Sequence, residues 1–400
     1  MRTSLETPFS LELAKDLLAS YGSPLYVYQS NYLQRTISQI TKAITYPHTK
    51  FHFASVTNGN IALLQIFQKS GWGLHANTPG DIYLGLKAGF LPEQIVYSGS
   101  NLNYAEIAEI LSWGIATLNL DSLDQLDLCC QIYQSLEPQT LAPQLGLRLN
   151  LPHINGESRI GVRQEEFADA IKIAETANLK LSGLHFYRGT GTNATKAFTQ
   201  VIHTLLEVGK LLPDWKYLDF GGGFGYPYHS DGVAFDWQVF GAELSSNLLS
   251  IDREIELIIE PGRAAIAGSA VLLTKVVAVK WQEGKQIVGV DTTVANLSVP
   301  SVHGGYREIT GWKEKDSELY LTDVCGNTTY SRDYLGRNCQ LPALQRGDIL
   351  AILDVGAYGY AMSSHFLHRP RPAEVLLEDS QHQLIRQRED YSILLENQIF

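Results

Sequence analysis

Residues 51–88 read FHFASVTNGNIALLQIFQKSGWGLHANTPGDIYLGLKA and contain two strand-like runs, each followed by a helical pattern. Phe51–Val56 is short and apolar, and Ile61–Lys69 carries apolar residues at helical spacing. The same order repeats with Gly71–Ala76 and Gly80–Ala88. Strands that alternate with helices favour a parallel sheet, because each helix returns the chain to the start of the next strand. The segment therefore predicts a repeated strand–helix unit.

The alternation continues to about Pro261 and predicts one large α/β domain. About eight such units within roughly 200 residues favour a closed (β/α)8 barrel over an open sheet. The further strand candidates are Ile95–Ser98, Thr117–Leu120, Gln144–Leu149, Leu181–Tyr187, Tyr217–Phe220 and Glu256–Ile259.

A second domain is predicted after Gly268, where β-rich runs separated by turns are typical of an antiparallel β domain. The extended segment Pro24–Tyr28 is expected to join it. We therefore expect an α/β protein with a (β/α)8 barrel over residues 30–265 and a C-terminal antiparallel β domain formed by residues 1–29 and 266–400.

Charge and composition restrict the partners. The 400 residues carry a net charge of −11, which argues against nucleic acid and anionic membranes, because both attract basic faces. No basic segment followed by an apolar run begins the chain, and no apolar stretch approaches the length of a membrane span. The four cysteines fit neither a zinc site nor a redox motif. We expect a cytoplasmic protein with reduced thiols and no metal.

Four motifs with chemical potential lie in the predicted domains, three of them after barrel strands, where such a barrel carries its chemistry. Asp219–Gly225, DFGGGFG, has three consecutive glycines that let the backbone approach a phosphate; a flexible turn is the alternative. Glu260–Arg263, EPGR, puts an acid beside a bidentate phosphate donor; a surface ion pair is the alternative. Gly183–Thr190, GLHFYRGT, adds an aromatic ring and a hydroxyl, and Gly356–Gly359, GAYG, adds a phenol in the β domain.

The order and spacing of these motifs resemble the fold-type III pyridoxal 5'-phosphate (PLP) decarboxylases, namely the diaminopimelate, ornithine and arginine decarboxylases. The resemblance extends from Pro24–Tyr28 to Arg369–Val375 and includes Asp121–Leu123, Arg148–Asn150 and Ser158–Gly161. It implies an alanine-racemase-like barrel with a C-terminal β domain, PLP as cofactor, a small amino-acid-like ligand, and a homodimer with its sites at the subunit interface.

The resemblance also implies roles for individual residues. Glu260 would pair with the protonated pyridine nitrogen, which makes the ring an electron sink. Tyr187 takes the position of the histidine that stacks on the ring and can still stack there. The cofactor phosphate would be bound by backbone, hydroxyl, guanidinium and phenol groups of Gly221, Gly222, Gly223, Thr190, Arg263 and Tyr358.

The chain departs from the family at the Schiff-base lysine. The family's Tyr-Ala-x-Lys-Ala-Asn element reads FASVTN over Phe53–Asn58, so that Val56 occupies the lysine position. Valine has no amine and cannot bind the cofactor covalently. No lysine occurs between Lys50 and Lys69, and Lys50 is expected near the opposite end of the strand, about 20 Å away at roughly 3.3 Å per residue.

A second departure affects the proton donor, which the family supplies from the partner subunit in a Gly-x-x-Cys-[Asp/Glu]-x-x-Asp element. Here Thr329 takes the place of the cysteine, and its hydroxyl is a far weaker acid than a thiol at neutral pH. Tyr330 replaces the carboxylate that meets a distal substrate ammonium, and only Asp333 remains.

Two further changes affect substrate recognition. Arg188 replaces a residue that is usually aliphatic and would bring positive charge near the ring. The Asn-x-x-Arg-Pro-x-x-Tyr element becomes Asn296–His303, in which Val299 takes the position of the arginine that grips a substrate carboxylate. His303 stands at the tyrosine position. Diaminopimelate is therefore not the expected substrate, and Arg188, His303 and Asp333 remain the substrate candidates.

Three functional hypotheses stay open. The first is a divergent homologue that holds PLP, or a PLP–amino-acid adduct, noncovalently and lacks ordinary decarboxylase turnover. The second is an active decarboxylase, or another lyase or epimerase, that uses an altered mechanism on a small amino acid, since loss of CO₂ requires the electron sink and orientation more than the lysine. The third is a regulatory pseudoenzyme that pairs with an active paralogue.

Overall fold

The computed structural model describes residues 9–136, 142–312 and 317–399. The chain divides into two compact units. One, the β unit, contains the chain up to Leu33, the segment Pro227–Val233 and the chain from Ile266 onward. The other, the barrel unit, contains Gln34–Tyr226 and Ala234–Ala265. The first elements of the described chain are α1 (Leu11–Tyr21), β1 (Leu25–Gln29) and α2 (Ser30–Ala43).

Eight parallel strands form a closed barrel, as the sequence predicts. The barrel closes where Thr49 of the first strand pairs with Leu257 of the last. Its strands are β2 (Thr49–Ala54), β3 (Gly73–Ala76), β4 (Ile95–Tyr97), β5 (Thr117–Leu120), β6 (Gln144–Arg148), β7 (Leu181–His185), β8 (Tyr217–Asp219) and β9 (Glu256–Ile259).

Helices follow the barrel strands, and several of them begin at side-chain caps. Asn60 accepts a hydrogen bond from the backbone of Ala62, and Thr78 forms a capping box with Asp81, so both helices satisfy backbone donors that are free at a helix start. The helices are α3 (Ile61–Lys69), α4 (Pro79–Ala88), α5 (Tyr104–Ser112), α6 (Leu123–Ser135), α7 (Pro152–Asn155), α8 (Phe167–Thr176), α9 (Thr195–Thr199), α10 (Ile202–Gly209), α11 (Trp237–Leu249) and α12 (Arg263–Ile266).

The β unit contains a nine-stranded sheet with the path β14-β13-β11-β10-β1-β16-β17, and β15 pairs with β10 and β12. The predicted β-rich sheet separate from the barrel is confirmed. β1 pairs with β10 and β16 in this sheet, and the pairs β1–β16 and β11–β13 are parallel. Its later elements are β10 (Ala270–Gln282), β11 (Lys285–Val290), α13 (Val299–Val302), β12 (Ile309–Gly311), β13 (Leu319–Cys325), β14 (Tyr334–Pro342), β15 (Ile349–Ile352), β16 (Ala373–Glu378) and β17 (Gln381–Arg386).

Apolar side chains of α1 and the central strands form the core of the β unit. Leu17, Leu25, Val271 and Val375 all belong to this core and are fully or almost fully buried. The remaining elements include short 3-10 helices, one of which, Ser55–Thr57, follows β2 directly. Within the described ranges, no helix has the length and apolar character needed to cross a membrane.

Candidate functional site

Buried polar side chains meet where four barrel strands end. His185 and Asp219 are the last residues of β7 and β8, His75 is the penultimate residue of β3, and Glu260 follows β9 directly. Each of these four residues is at most 6% exposed. Nε2 of His75 lies 3.4 Å from one carboxylate oxygen of Glu260, and Nε2 of His185 lies 3.7 Å from the other. Carboxyl ends of parallel strands in a barrel converge on one face, and this convergence creates the cluster.

Burial controls the charges of this cluster. Removal from water raises the pKa of Glu260 to about 7 and, together with the charge of Glu260, raises the pKa of Asp219. The same burial lowers the pKa of His185 to about 4 and lowers that of His75. The histidines are therefore neutral near pH 7. Among the residues that the structure describes, none forms a hydrogen bond with Oε1 of Glu260. A ligand that brings a protonated nitrogen would satisfy this carboxylate.

Asp219 is held by hydrogen bonds from two groups, and a third group supports one of them. Nδ2 of Asn119 donates to one carboxylate oxygen at 2.8 Å, and the backbone N–H of Gly221 donates to the other at 3.0 Å. The hydroxyl of Tyr217 donates in turn to Oδ1 of Asn119 at 2.8 Å. His185, Asp219 and Glu260 each place a potential metal-ligand atom within 4.8 Å of the others. Because both oxygens of Asp219 already accept hydrogen bonds, the cluster suits an organic cation better than a metal.

Two glycine-rich loops lie backbone to backbone beside the cluster. The N–H of Gly191 donates to the carbonyl of Gly223 at 3.0 Å, and the residues have φ angles of +66° and +94°. A Cβ atom on Gly223 would lie 2.2 Å from the carbonyl oxygen of Gly189, so only glycine fits. The Arg263 guanidinium would lie 3.5 Å from a Cβ on Gly191. Glycine backbone that a ligand can approach closely, beside a guanidinium, suits a phosphate.

Gly221 and Gly222 complete this arrangement. Gly221 adopts a φ of +69°, and an added Cβ would lie 2.2 Å from the carbonyl oxygen of Phe186. An added Cβ on Gly222 would lie 2.6 Å from the carbonyl oxygen of Glu260. The glycine loop therefore packs directly against the strand end that carries the buried carboxylate.

Tyr187 and Thr190 stand beside these loops. The two hydroxyl oxygens are 3.0 Å apart, with Tyr187 half-buried and Thr190 exposed. The guanidinium of Arg148 lies 5.2 Å from the centroid of the Tyr187 ring, within the range of a cation–π contact. Arg148 is the last residue of β6. Neither Arg148 nor His75 was among the site residues predicted from the sequence. Their positions near the carboxyl ends of predicted barrel strands could have identified both.

Arg188, predicted to bring charge near the ring, makes two hydrogen bonds to backbone. Nε donates to the carbonyl of Ala197 in α9, and an Nη donates to the carbonyl of Ile154 in α7, both at 3.1 Å. One side chain thus joins two short helices that follow different barrel strands. Its role as a substrate residue stays a prediction.

Replacing Arg188 by Met should destabilise these two helices. The loss leaves two carbonyls without their donors, which we expect to lower the free energy of unfolding by about 1–3 kcal/mol. Urea denaturation measures the change, and hydrogen exchange should increase over 152–155 and 195–199. Arg163→Met, at an exposed arginine in the same unit, is the matched control and should leave both unchanged. Equal stability of the two variants would contradict this structural role.

Val56 lies in the 3-10 helix after β2 and is 44% exposed, unusually open for a valine. Lys50 is located near the start of the same strand, where its ammonium lies 2.6 Å from the carboxylate of Glu256 at the start of β9. The two residues are therefore at opposite ends of β2. The amine of Lys50 is engaged at the amino-terminal end of the barrel, away from the buried cluster.

In the β unit, Asp333 is buried and already bound to its surroundings. Its carboxylate accepts hydrogen bonds from the hydroxyls of Thr293 (2.9 Å) and Thr328 and from the backbone N–H of Val294 (2.7 Å). The contacts from Thr293 and Val294 join the loop before β14 to the segment after β11, and the contact from Thr328 lies within that loop. The carboxylate therefore has a clear structural function in this unit.

The other predicted residues of the β unit are spread over three elements. Thr329 is exposed, and Tyr330 is half-buried with an edge-on contact of 5.5 Å to Phe366. His303 is exposed at the end of α13. Tyr358 is half-buried and has a φ of +59°, a left-handed conformation that non-glycine residues adopt at a cost. Such strain is often found at functional sites.

Comparison with known proteins agrees with this geometry. Residues 31–267 match the pyridoxal binding domain of the pyridoxal-dependent decarboxylases. Diaminopimelate decarboxylase of Methanothermobacter thermautotrophicus is 31% identical over 96% of this chain and 94% of its own length.

Solved structures agree as well. Diaminopimelate decarboxylase from M. jannaschii, in complex with L-lysine, superposes with a TM-score of 0.90 at 25% identity, covering 97% of this chain and 94% of that one. The Helicobacter pylori enzyme, also with L-lysine, gives a TM-score of 0.86 at 27% identity and covers 96% and 98%. This chain therefore belongs to the pyridoxal-dependent decarboxylase family and has the barrel and β domain of its diaminopimelate decarboxylase members.

Proposed function

We propose that this protein binds PLP, or a PLP–amino-acid adduct, noncovalently in its barrel and does not perform ordinary decarboxylase turnover. One contrast carries the proposal. The buried carboxylate of Glu260 and the glycine loops beside Arg263 would suit a protonated ring and a phosphate, whereas the exposed Val56 takes the position that the resemblance gives to the family's lysine.

The residues present fit the cofactor. Oε1 of Glu260 has no hydrogen-bond partner in the described part of the chain and would accept a hydrogen bond from the protonated pyridine nitrogen. The loop Gly221–Gly223, the hydroxyl of Thr190 and the guanidinium of Arg263 would hold the phosphate, since a dianion needs N–H dipoles, a hydroxyl and a guanidinium. Tyr187 would face the ring. Tyr358 would add its phenol to the phosphate contacts.

Bound PLP would supply an electron sink for the carbanion left by loss of CO₂. Two tasks of the protein lack a residue. Val56 has no amine, so it cannot displace the amino group of a bound ligand from the cofactor. The Thr329 hydroxyl is too weak an acid to deliver a proton at neutral pH. We therefore expect the protein to hold PLP or its adduct without releasing a product.

The second candidate is an enzyme of altered mechanism, which the retained Glu260 favours. A carboxylate matched to a pyridine nitrogen has value for chemistry as well as for binding. Relatives were crystallised with L-lysine, so an amino acid is the ligand class to test. If the purified protein with PLP neither decarboxylates nor racemises any amino acid, this candidate fails.

We also propose a homodimer in which the segment 329–333 of one subunit faces the barrel of the other. A pseudoenzyme paired with an active paralogue predicts co-purification with that paralogue instead.

Arg263→Gln should weaken PLP binding by roughly 10- to 100-fold, because a charge-assisted contact to phosphate is lost. Binding is measured by the absorbance change during titration with PLP, followed by borohydride treatment and mass spectrometry. We expect the wild-type protein to bind PLP yet retain no covalent label. Arg163→Gln, at an exposed arginine of the same unit, is the control. Stoichiometric covalent labelling of the wild-type chain would refute noncovalent binding, and unchanged affinity in Arg263→Gln would place the cofactor elsewhere.

A further inference from the structure

A cavity of about 300 Å³ lies at the amino-terminal end of the barrel, and its described lining belongs to the barrel unit alone. Thr117, Gln144 and Glu256, the first residues of β5, β6 and β9, line it. The buried carboxylate of Glu260 lies at the opposite end of the same barrel, where the strands finish. The cavity is therefore separate from the candidate cofactor site, and its volume is at the lower end of the range for small-molecule sites.

The floor of the cavity is apolar. Val96 and Ile258 line it and belong, with Tyr217, to a buried hydrophobic cluster of strands β4, β8 and β9. Ile258 is two residues after Glu256 on β9, so both side chains face the same side of the strand, with the isoleucine deeper in the barrel. An apolar surface at this depth favours an aliphatic group of a ligand.

A buried histidine forms part of the cavity wall. His52 lines the cavity, is 4% exposed, and lies on the same side of β2 as Lys50, two residues earlier. A Cβ atom on Gly73 would lie 2.4 Å from the imidazole, so the glycine of β3 leaves the room that this ring occupies.

The imidazole of His52 is neutral and incompletely hydrogen-bonded. Burial and the positive charge of Lys50 lower the pKa of His52 to about 3, so near pH 7 the ring offers one N–H donor and one acceptor nitrogen. No residue in the described part of the chain forms a hydrogen bond with Nδ1 of His52. Buried polar atoms are usually paired, and a polar ligand in the cavity would supply a partner.

The rim of the cavity carries charges of both signs. The ammonium of Lys50 lies 2.6 Å from the carboxylate of Glu256. It has three N–H donors and can bind a second carboxylate without losing the first. Glu93 is exposed at the same rim, and over the residues that the structure describes its side chain forms neither an ion pair nor a hydrogen bond. This arrangement matches a ligand that carries both a carboxylate and an ammonium group.

We propose that this cavity binds a small amino acid with an aliphatic side chain. Its carboxylate would be held by Lys50 and by the N–H of His52, and its ammonium group by Glu93. Its side chain would contact Val96 and Ile258. The binding requires no PLP, so the proposal stands or falls independently of cofactor binding at the other end of the barrel.

The test is calorimetric titration of the full-length, PLP-free protein at low ionic strength with L-valine and, separately, with L-leucine. We expect at least one of them to bind. Two analogues of the tighter ligand each lack one charged group: the amine left by removal of its carboxylate, and the acid left by removal of its amino group. Both analogues should bind about 10-fold or more weakly than the amino acid.

Two substitutions in the cavity should weaken binding by about 10-fold or more. Lys50→Met removes the ammonium and keeps an apolar side chain, and His52→Phe keeps a ring without its nitrogens. Thermal denaturation without ligand checks that both variants fold. Lys172→Met is the matched control, because Lys172 is another exposed lysine of this unit, pairs with Asp169 and lies outside the described lining.

Glu260→Gln locates the binding within the barrel. It changes the opposite end, where an amino acid could also bind, and should leave the titration unchanged. The proposal is overturned if neither amino acid binds, if either analogue binds as tightly as the amino acid, or if Lys50→Met binds as tightly as Lys172→Met. Binding that Glu260→Gln abolishes and Lys50→Met retains would also overturn it.

Discussion

Replacing Val56 by Lys should give a protein that binds PLP covalently. Position 56 is 44% exposed, so a longer flexible side chain can replace valine at small cost to stability. Its 3-10 helix follows β2 directly, at the end of the strand opposite Lys50 and its partner Glu256. An amine introduced there would react with the aldehyde of a cofactor held by the barrel, whereas the wild-type side chain cannot.

The measurement is mass spectrometry after PLP addition and borohydride reduction. We expect close to one label per chain in Val56→Lys, on the peptide that contains residue 56, and little label in the wild-type protein. Val302→Lys is the matched control, since Val302 is also exposed, at 55%, but belongs to α13 in the β unit. Equal labelling of both lysine variants would mean that the barrel directs no cofactor to position 56.

Covalent attachment alone should not restore repeated turnover. Thr329 stays a poor proton donor in Val56→Lys, and a proton has to be delivered after CO₂ is lost, so we expect repeated turnover only after the second change, Thr329→Cys. Full turnover by Val56→Lys alone would show that another acid, such as the half-buried Tyr330, already performs this step.

The sequence predicted the barrel because its signal is local. Each strand and the helix after it, such as β2 and α3, can be recognised within about 20 residues. The signals are the spacing of the apolar residues and capping residues such as Asn60. The pairing of the β unit is different. β1 pairs with β16 in parallel, and the two are separated by most of the chain. No local sequence pattern indicates which distant strands will pair. The sequence therefore predicted a β-rich antiparallel domain and not the parallel pairs within it.

The candidate site was predictable where residues occur in continuous motifs. Glu260 and the loop Gly221–Gly223 stand in such motifs, and the structure places them side by side. His75 and Arg148 are single residues on different strands, and only the closed barrel brings them to the same end. Side-chain contacts were also beyond the sequence, as Arg188 illustrates, because its two carbonyl acceptors depend on how α7 and α9 are placed.

Glu260→Gln should stabilise the PLP-free protein at high pH. Burial raises the pKa of Glu260 from 4.5 to about 7, so between these values the folded protein keeps a proton that the unfolded chain releases. The free energy of unfolding therefore decreases as the pH rises through this window. Since one pKa unit corresponds to about 1.4 kcal/mol, the cost of the buried charge above pH 7 is about 3 kcal/mol. Glutamine removes that cost.

PLP binding should change in the opposite direction. Glutamine offers no negative charge to a protonated pyridine nitrogen, so we expect affinity to decrease by about 10-fold or more. Urea denaturation from pH 5 to pH 8 and spectroscopic PLP titration measure the two effects. Glu256→Gln is the control, because Glu256 starts the same strand and pairs with Lys50 at the other end of the barrel.

The combination of the two effects distinguishes a binding group from a structural one. A carboxylate retained for the fold would leave Glu260→Gln less stable than the wild-type protein at pH 8. If the carboxylate is retained for a ligand, Glu260→Gln should be more stable than the wild-type protein without PLP and should bind PLP more weakly. The reason is that the unfavourable burial of the negative charge is offset only when a cation binds. A variant that is destabilised at pH 8 and binds PLP normally would contradict the assignment of Glu260 to the cofactor.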